Sequence, residues 1–243
     1  MIEHLRPEQT RKLFIYLFEQ GFMTKCQIVK ITNLNDAEIR SLVRERYIKL
    51  VKSYFDNSIL YVPIERAKFY LKANDVKVFV NEPNGAPFKN ELHDRRLTDI
   101  RILFDQMNYS HWQSERCLNQ RGMKKLRPDA ILSIGQRKIA IELELTNKGC
   151  AHYLKRFKCY EEHPAIDAVL YVVSTPPFRD KLIRICKNYP NVYFTVLNHA
   201  TDYKENAFVM SAQFPEPIPL WKFLAMIKER RCGWPADRQS YGS

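Results

Sequence analysis

The chain has 243 residues, and its 39 Lys and Arg side chains outnumber 27 Asp and Glu to give a formal net charge of +12. This length allows one or two domains with buried cores, and 45% hydrophobic residues without a low-complexity run exclude a disordered chain. The charge favours a polyanionic partner, most often nucleic acid. No stretch approaches the roughly 18 apolar residues that span a bilayer, and the first residues are charged where a signal peptide is apolar. We therefore expect a cytoplasmic protein without a membrane partner.

The six cysteines are scattered along the chain without a CxxC pair. This spacing argues against a zinc ribbon and against a disulfide framework. Cys150 and His152 are close in sequence, but no second pair has the spacing of metal ligands.

Residues 1–75 are predicted to form three helices followed by a β-hairpin. Apolar residues first recur at helical spacing, and Asn35 is a good N-cap for the third helix. The apolar period then changes to two, as in a pair of antiparallel strands. The predicted elements are a helix over about Pro7–Gln20, short helices after Thr24 and after Asn35, and strands over Tyr47–Ser53 and Ser58–Pro63.

This order of elements resembles a winged helix, a family in which the third helix enters the major groove of DNA and the hairpin lies along the backbone. The resemblance implies double-stranded DNA as the partner. Residues 1–72 hold 13 basic and 8 acidic side chains, a net charge of +5. A solvated basic face, or a protein-interaction module, is the alternative interpretation. The predicted DNA contacts on the third helix and the first hairpin strand are Arg40, Ser41, Arg44, Lys49 and Lys52.

Residues 76–90 are predicted to be a linker, because turn-forming residues gather there, although a strand at Val76–Val80 is the alternative. Residues 91–214 form the second predicted domain, and residues 215–243 a C-terminal helix and tail. An antiparallel hairpin combined with helix-linked strands predicts an α/β (α+β) fold with a mixed sheet flanked by helices. The predicted elements are a helix over Glu91–Gln106, strands over 109–118, 128–134 and 138–146, a helix over Gly149–Glu162, a strand over Ala168–Ser174, a helix over Phe178–Asn188, a strand over Val192–Leu197 and a helix near Trp221–Arg230.

Three carboxylates stand out in this second domain. Side chains alternate along the predicted strand 138–146, so Glu142 and Glu144 share one face. Asp129 begins the neighbouring hairpin strand, and pairing would bring it close to Glu142. Three clustered acids repel one another unless a cation lies among them, and oxygen ligands suit Mg²⁺ or Mn²⁺. The alternative is an exposed sheet face with ordinary polar alternation.

The strand and helix order, with Pro128-Asp129 before the hairpin and an acid in the next strand, resembles the PD-(D/E)xK nuclease superfamily over about residues 90–198. This resemblance implies a restriction-endonuclease-like domain with Asp129 and Glu142 as catalytic metal ligands. Glu144 stands where the family has a water-activating lysine, so Lys138 on the same strand face, or Lys148, would have to replace it. Further candidates for this site are Glu91, Glu115 and His93.

The flanks of these acids are basic, since residues 121–158 contain 10 basic and 3 acidic side chains. Lys155, Arg156 and Lys158 on the following predicted helix are candidate phosphate contacts, with a solvated helix face as the alternative. Tyr153 and Tyr160 are seven residues apart on that helix, which favours core packing over a nucleophilic tyrosine.

A further likeness is carried by the amino-terminal winged helix together with four stretches: HDRRLTDIRILF (93–104), WQSERCL (112–118), RPDAILSI (127–134) and IELELTNKGCAHYLKRFKCY (141–160). Over most of its length, the chain resembles the replication-relaxation proteins of plasmids and integrative elements. This resemblance implies a DNA-binding protein of a mobile genetic element that acts in plasmid replication, relaxation or mobilisation. Two hypotheses follow: a Mg-dependent DNA endonuclease or nickase, or a non-catalytic regulator or relaxosome accessory protein with a degenerate nuclease domain. A homodimer and contacts with other relaxosome proteins are compatible with either.

Overall fold

A computed structural model of the protein describes residues 6–76, 90–120, 126–214 and 216–229. Within residues 6–76, the predicted helices and the hairpin are confirmed, and strand β1 and helix α4 are additions that the sequence pattern did not predict. β3 is the central strand of an antiparallel sheet with the order β1-β3-β2. The elements are α1 (Pro7–Gln20), β1 (Met23–Thr24), α2 (Lys25–Thr32), α3 (Asp36–Arg44), β2 (Ile48–Lys52), β3 (Ile59–Pro63) and α4 (Glu65–Ala73).

Local signals explain where these first helices begin and end. Thr24 and Asn35 are the N-caps of α2 and α3, and each forms a capping box with the residue three positions later. α1 ends at Gly21, whose φ of +91° favours glycine. The helices enclose a core in which Phe14 stacks on Tyr47.

The rest of the described chain is a five-stranded mixed sheet flanked by helices, as predicted. The strand order is β4-β5-β6-β7-β8; the first three strands are antiparallel, and β7 and β8 continue the sheet in parallel with β6. The elements are α5 (Glu91–Gln106), β4 (Trp112–Ser114), α6 (Glu115–Gln120), β5 (Ala130–Ile134), β6 (Arg137–Glu144), α7 (Cys150–Glu161), β7 (Ala168–Val173), α8 (Pro176–Ile185), β8 (Val192–Val196), α9 (Leu197–Tyr203), a 3-10 turn (Lys204–Asn206), β9 (Phe208–Val209), β10 (Ile218–Pro219) and α10 (Leu220–Glu229).

The predicted strand over 109–118 is wrong in its second half. Only Trp112–Ser114 pairs with β5, and a helix follows from Glu115. Glu, Arg and Leu in this segment are good helix formers, and Cys117 and Leu118 are both buried. The sequence pattern also did not predict α9 or the small β9–β10 sheet. The alternative strand at Val76–Val80 and the tail beyond residue 229 lie almost wholly outside the described residues.

Each face of the sheet has its own core. α7 and α8 cover one face, around Phe157, Tyr171 and Phe194, and α5, α9 and α10 cover the other. α5 is buried on two sides, because Leu103 packs into the sheet core while Ile102 packs into the core of the amino-terminal helices. One helix therefore belongs to both parts of the molecule. No helix in the described ranges has the length and apolar character needed to cross a membrane.

Candidate functional site

The carboxylates singled out in the sequence meet beneath α7. Ala130 pairs with Ile141 in the β5–β6 ladder, so Asp129 lies opposite Glu142 as predicted. Glu142 and Glu144 face the α7 side of the sheet, with Ala140, while Ile139 and Ile141 face the other core. Glu142 and Glu144 are only 6% and 4% exposed. The alternative of an exposed sheet face is therefore wrong, and the burial of two acids needs a compensating interaction.

Arg156 and Tyr160 provide that interaction for Glu142. They lie four residues apart on α7, so both reach the same carboxylate oxygen: the Arg156 guanidinium and the Tyr160 hydroxyl each donate a hydrogen bond to Glu142 Oε1. Arg156 also donates to the carbonyl of Arg127 at 2.9 Å. Arg156, predicted as a phosphate contact, instead points into the molecule, whereas Lys155 and Lys158 on the same helix are exposed.

Burial and the neighbouring charge shift the proton affinities of this group. Burial, followed by repulsion from Asp129, raises the pKa of Glu142 to about 7, although Arg156 and Tyr160 act in the opposite direction. Burial lowers the pKa of Arg156, but the charge of Glu142 outweighs it and the guanidinium stays protonated. Since the two groups are in direct contact, we treat the pair as ionised above about pH 7.

His93 supplies the positive charge for Asp129. Its Nε2 lies 3.2 Å from Asp129 Oδ2 and its Nδ1 lies 3.4 Å from Asp94 Oδ1. Burial lowers the pKa of His93, but hydrogen bonds and charge attraction from the two aspartates prevail and raise it to about 10. The same Asp129 oxygen accepts the Leu143 N–H at 2.7 Å. Asp129 thus links α5 to β6 through a protonated imidazole.

Glu144 is compensated by a lysine from the loop after β6. The Lys148 ammonium lies 2.9 Å from Glu144 Oε1. Tyr153 on α7 holds the same loop, because its hydroxyl accepts the Lys148 N–H at 3.2 Å and donates to the Thr146 carbonyl at 3.3 Å. Tyr153 and Tyr160 are buried, so core packing is the correct interpretation of their spacing.

Each of the three acids therefore has a basic neighbour: His93 beside Asp129, Arg156 beside Glu142 and Lys148 beside Glu144. We call these six residues the acid–base cluster. One oxygen of each carboxylate accepts a hydrogen bond from its basic neighbour: Asp129 Oδ2, Glu142 Oε1 and Glu144 Oε1. Within the described ranges, no group of three or more His, Cys, Asp or Glu side chains is arranged to hold a metal.

The other predicted site residues lie outside this cluster. Lys138 shares the face of Glu142 but is four residues away along the strand, about 13 Å at the usual rise, and is exposed. Glu91 is buried at the start of α5, where it accepts hydrogen bonds from Ser53 Oγ at 2.5 Å and from the Tyr54 N–H at 3.1 Å. Glu115 begins α6 with an exposed side chain, and its N–H donates to the Asp129 carbonyl at 2.8 Å.

A second candidate site is an open groove of about 510 Å³ between α3 and the β2–β3 hairpin. Arg40, Ser41 and Arg44 line it, three of the predicted DNA contacts. Leu50 and Tyr61 form its hairpin wall. Lys49 and Lys52 are exposed on β2. The five predicted contacts therefore lie on two neighbouring elements, and those on α3 share the groove.

No protein-family model matches this chain, and no curated protein is significantly similar to it.

The sequence did not predict the inward turn of Arg156, the protonation of His93 or the hydrogen bond that the Tyr160 hydroxyl donates to the cluster at Glu142. The one signal in the sequence was the four-residue spacing of Arg156 and Tyr160, which places two hydrogen-bond donors on one helix face. That spacing acquires meaning only when α7 is packed over Glu142, which is a tertiary contact.

The high pKa of His93 predicts a pH dependence of stability. The folded pKa of about 10 exceeds the unfolded value of 6.5, so His93 binds its proton more tightly in the folded protein than in the unfolded chain. The stabilisation of the folded state by protonated His93 is complete below about pH 6.5 and is lost as the pH rises toward 10. We expect the free energy of unfolding to fall by about 1–3 kcal/mol between these limits. Urea denaturation of the native protein and of His93→Gln at several pH values measures this difference.

The matched control is His152→Gln, because His152 is an exposed histidine on α7. This variant should keep the fall in stability, whereas His93→Gln should lack it. An equal fall in all three proteins would contradict the proposed protonation of His93.

Proposed function

We propose that this protein binds double-stranded DNA through a winged-helix unit in residues 6–76, and that its nuclease-like domain is a non-catalytic platform. The observation that carries the proposal is the groove between α3 and the hairpin, where Arg40 and Arg44 are exposed beside an apolar wall. Lys52 shares the strand face of Leu50 and extends this basic surface onto β2, whereas the exposed Lys49 points to the other face of the strand. In the winged-helix family the third helix enters the major groove and the hairpin follows the backbone.

Charge supports this assignment over a solvated helix face. Arg40 and Arg44 line the same groove, and the two acids of α3 have basic partners: Glu38 with Arg6 at 3.1 Å and Asp36 with Lys25 at 2.6 Å. The hydrogen bond from Lys25 lowers the pKa of Asp36 most, and attraction to Arg40 adds to it. With Arg6 and Lys25 beside the two acids, Arg40 and Arg44 leave the surface of α3 with an excess of positive charge. A positive surface of this kind binds phosphates and gains affinity from counterion release.

The acid–base cluster supports a non-catalytic role for the second domain. Glu142 is the acid that the nuclease resemblance assigns to the metal, and Arg156 and Tyr160 hold it beneath α7. A metal-dependent endonuclease is the second candidate function, favoured by the adjacency of Asp129 and Glu142. It requires Arg156 to leave Glu142 when DNA binds. A role in replication, relaxation or mobilisation of a mobile element rests on the sequence resemblance alone.

DNA binding is tested by substituting the arginines of the groove. We expect Arg40→Ala and Arg44→Ala each to weaken duplex binding by roughly fivefold to tenfold. Each should also reduce the slope of log affinity against log salt concentration by about one, because one phosphate is no longer neutralised. Fluorescence anisotropy across a salt series measures both effects. Lys222→Ala is the charge-matched control, since Lys222 is exposed on α10 on the opposite face of the sheet from α7.

The two candidate functions are separated with the same proteins and supercoiled plasmid in Mg²⁺, in Mn²⁺ or in EDTA. The proposal expects binding without nicking under every condition. Metal-dependent nicking that disappears in Asp129→Ala and in Glu142→Ala would establish the nuclease instead. Equal binding by Arg40→Ala, Arg44→Ala and Lys222→Ala would remove the groove from the DNA interface.

A further inference from the structure

The tip of the β2–β3 hairpin carries two consecutive aromatic side chains on the surface. Tyr54 is 85% exposed and Phe55 is 61% exposed, in the turn that joins the two strands. Exposed apolar side chains that follow one another in a turn are candidates for an interaction surface. The proposed contacts of the groove involve α3 and β2 and leave this tip unused.

Helix α5 braces the backbone of this tip. Buried Ser53 donates to Glu91 at 2.5 Å, and its hydroxyl accepts the N–H groups of Phe55 at 3.0 Å and Asp56 at 3.3 Å. Glu91 also accepts the Tyr54 N–H at 3.1 Å. The turn is therefore shaped before any partner arrives, which reduces the entropy cost of binding.

The charge around the tip suits a polyanion. Asp56, the acid of the turn, is paired with Arg95 at 2.9 Å. Lys52 is exposed at the base of the tip, and Lys49 is exposed further along the same strand. A partner for this surface needs flat apolar faces together with negative charge. Unpaired nucleic-acid bases on their phosphate backbone have both properties.

We propose that Tyr54 and Phe55 stack on unpaired bases, so that the preferred ligand is a duplex with a single-stranded flank rather than an intact duplex. The proposal rests on the proposed DNA binding of the groove and adds the class of DNA. The groove holds the duplex, and the aromatic tip lies against the first bases beyond the paired region. Stacking of this kind tolerates any base sequence, because every base has a flat aromatic face.

The test compares two DNAs, a blunt duplex and the same duplex with a single-stranded tail whose first unpaired base is a fluorescent purine analogue. We expect the full chain to bind the tailed DNA more tightly and to quench the analogue. Phe55→Ala should weaken binding to the tailed DNA by roughly tenfold, with little change for the blunt duplex. Phe69→Ala is the matched control, because Phe69 on α4 is 60% exposed.

Two further variants separate stacking from simple apolar contact. Phe55→Trp should keep the preference for the tailed DNA, and Phe55→Leu should lose it although leucine is apolar. Equal affinity of the native protein for both DNAs, or a Phe55→Ala variant that keeps the preference, would overturn this inference while leaving duplex binding by the groove intact. Absence of binding to either DNA would overturn the proposed function and this inference together. If the Phe55 variants bind both DNAs as the native protein does but lose binding to a protein, stacking on bases would be overturned and the tip would be assigned to protein recognition.

Discussion

Arg156→Ala is expected to lower the free energy of unfolding by about 3–5 kcal/mol, because it leaves the buried Glu142 without its cation. Glu142 is 6% exposed and is repelled by Asp129 on the neighbouring strand. Of the two α7 side chains that donate to this carboxylate, only Tyr160 would remain. Chemical denaturation measures the loss, and Lys158→Ala, at an exposed position on the same helix, should change stability by less than about 0.5 kcal/mol.

A double-mutant cycle separates the stability that comes from the Arg156–Glu142 ion pair from the stability that comes from the packing of the Arg156 side chain. Replacing a whole buried ion pair with apolar residues is often neutral, whereas removing one partner is costly. We therefore expect Arg156→Met combined with Glu142→Leu to recover most of the stability lost in Arg156→Met alone, which is a large coupling energy. A destabilisation by Arg156→Ala no larger than that by Lys158→Ala would contradict the buried pair.

Arg101→Ala is expected to destabilise the protein by a similar amount, about 3–5 kcal/mol, and to uncouple the two parts of the molecule. Arg101 on α5 is 5% exposed. Its guanidinium lies 2.5 Å from the Glu19 carboxylate and 3.8 Å from the centre of the Tyr16 ring, both on α1. Removing it leaves the Glu19 charge at the junction between the amino-terminal helices and the sheet. Arg101→Lys should restore the stability only in part, because lysine does not reproduce the stacked planar group.

Two spectroscopic signals reveal the uncoupling. Trp112 on β4 and Trp221 on α10 belong to the sheet part, so their fluorescence follows its unfolding, while far-UV circular dichroism follows helices throughout. The two denaturation curves should coincide for the native protein and separate for Arg101→Ala. Arg96→Ala, exposed on the same helix, is the control. Coincident curves and unchanged stability in Arg101→Ala would show that α5 does not depend on this contact.

Much of the architecture was predictable because its signals are local. Asn35 begins α3 where a capping residue precedes an apolar stripe, and Gly135-Gln136 forms the turn of the β5–β6 hairpin as the pattern indicated. The order of predicted strands and helices also indicated the mixed sheet flanked by helices. The error in the predicted strand over 109–118 also has a local cause, because Glu115 and the residues after it are good helix formers.

The prediction that Asp129 and Glu142 meet was also correct, because hairpin register is a geometric consequence of a two-residue turn. Two neighbouring carboxylates need a metal ion only if the protein supplies no cation of its own. The structure provides His93, Arg156 and Lys148 from three different segments of the chain. The predicted Mg²⁺ or Mn²⁺ site remains a proposal that requires these contacts to rearrange.

The sequence by itself determined most of the longer helices and strands, the shared face of Glu142 and Glu144 and the excess of positive charge, because these depend on residue type and on spacing along the chain. The tertiary structure alone decided whether each charge faces solvent or another charge. Lys155, Arg156 and Lys158 carry the same charge on one helix, but α7 packs with Arg156 above Glu142 and the two lysines outward. The physical reason is that the energy of a charge depends on its burial and on its nearest opposite charge, and both are set by contacts between residues distant in sequence.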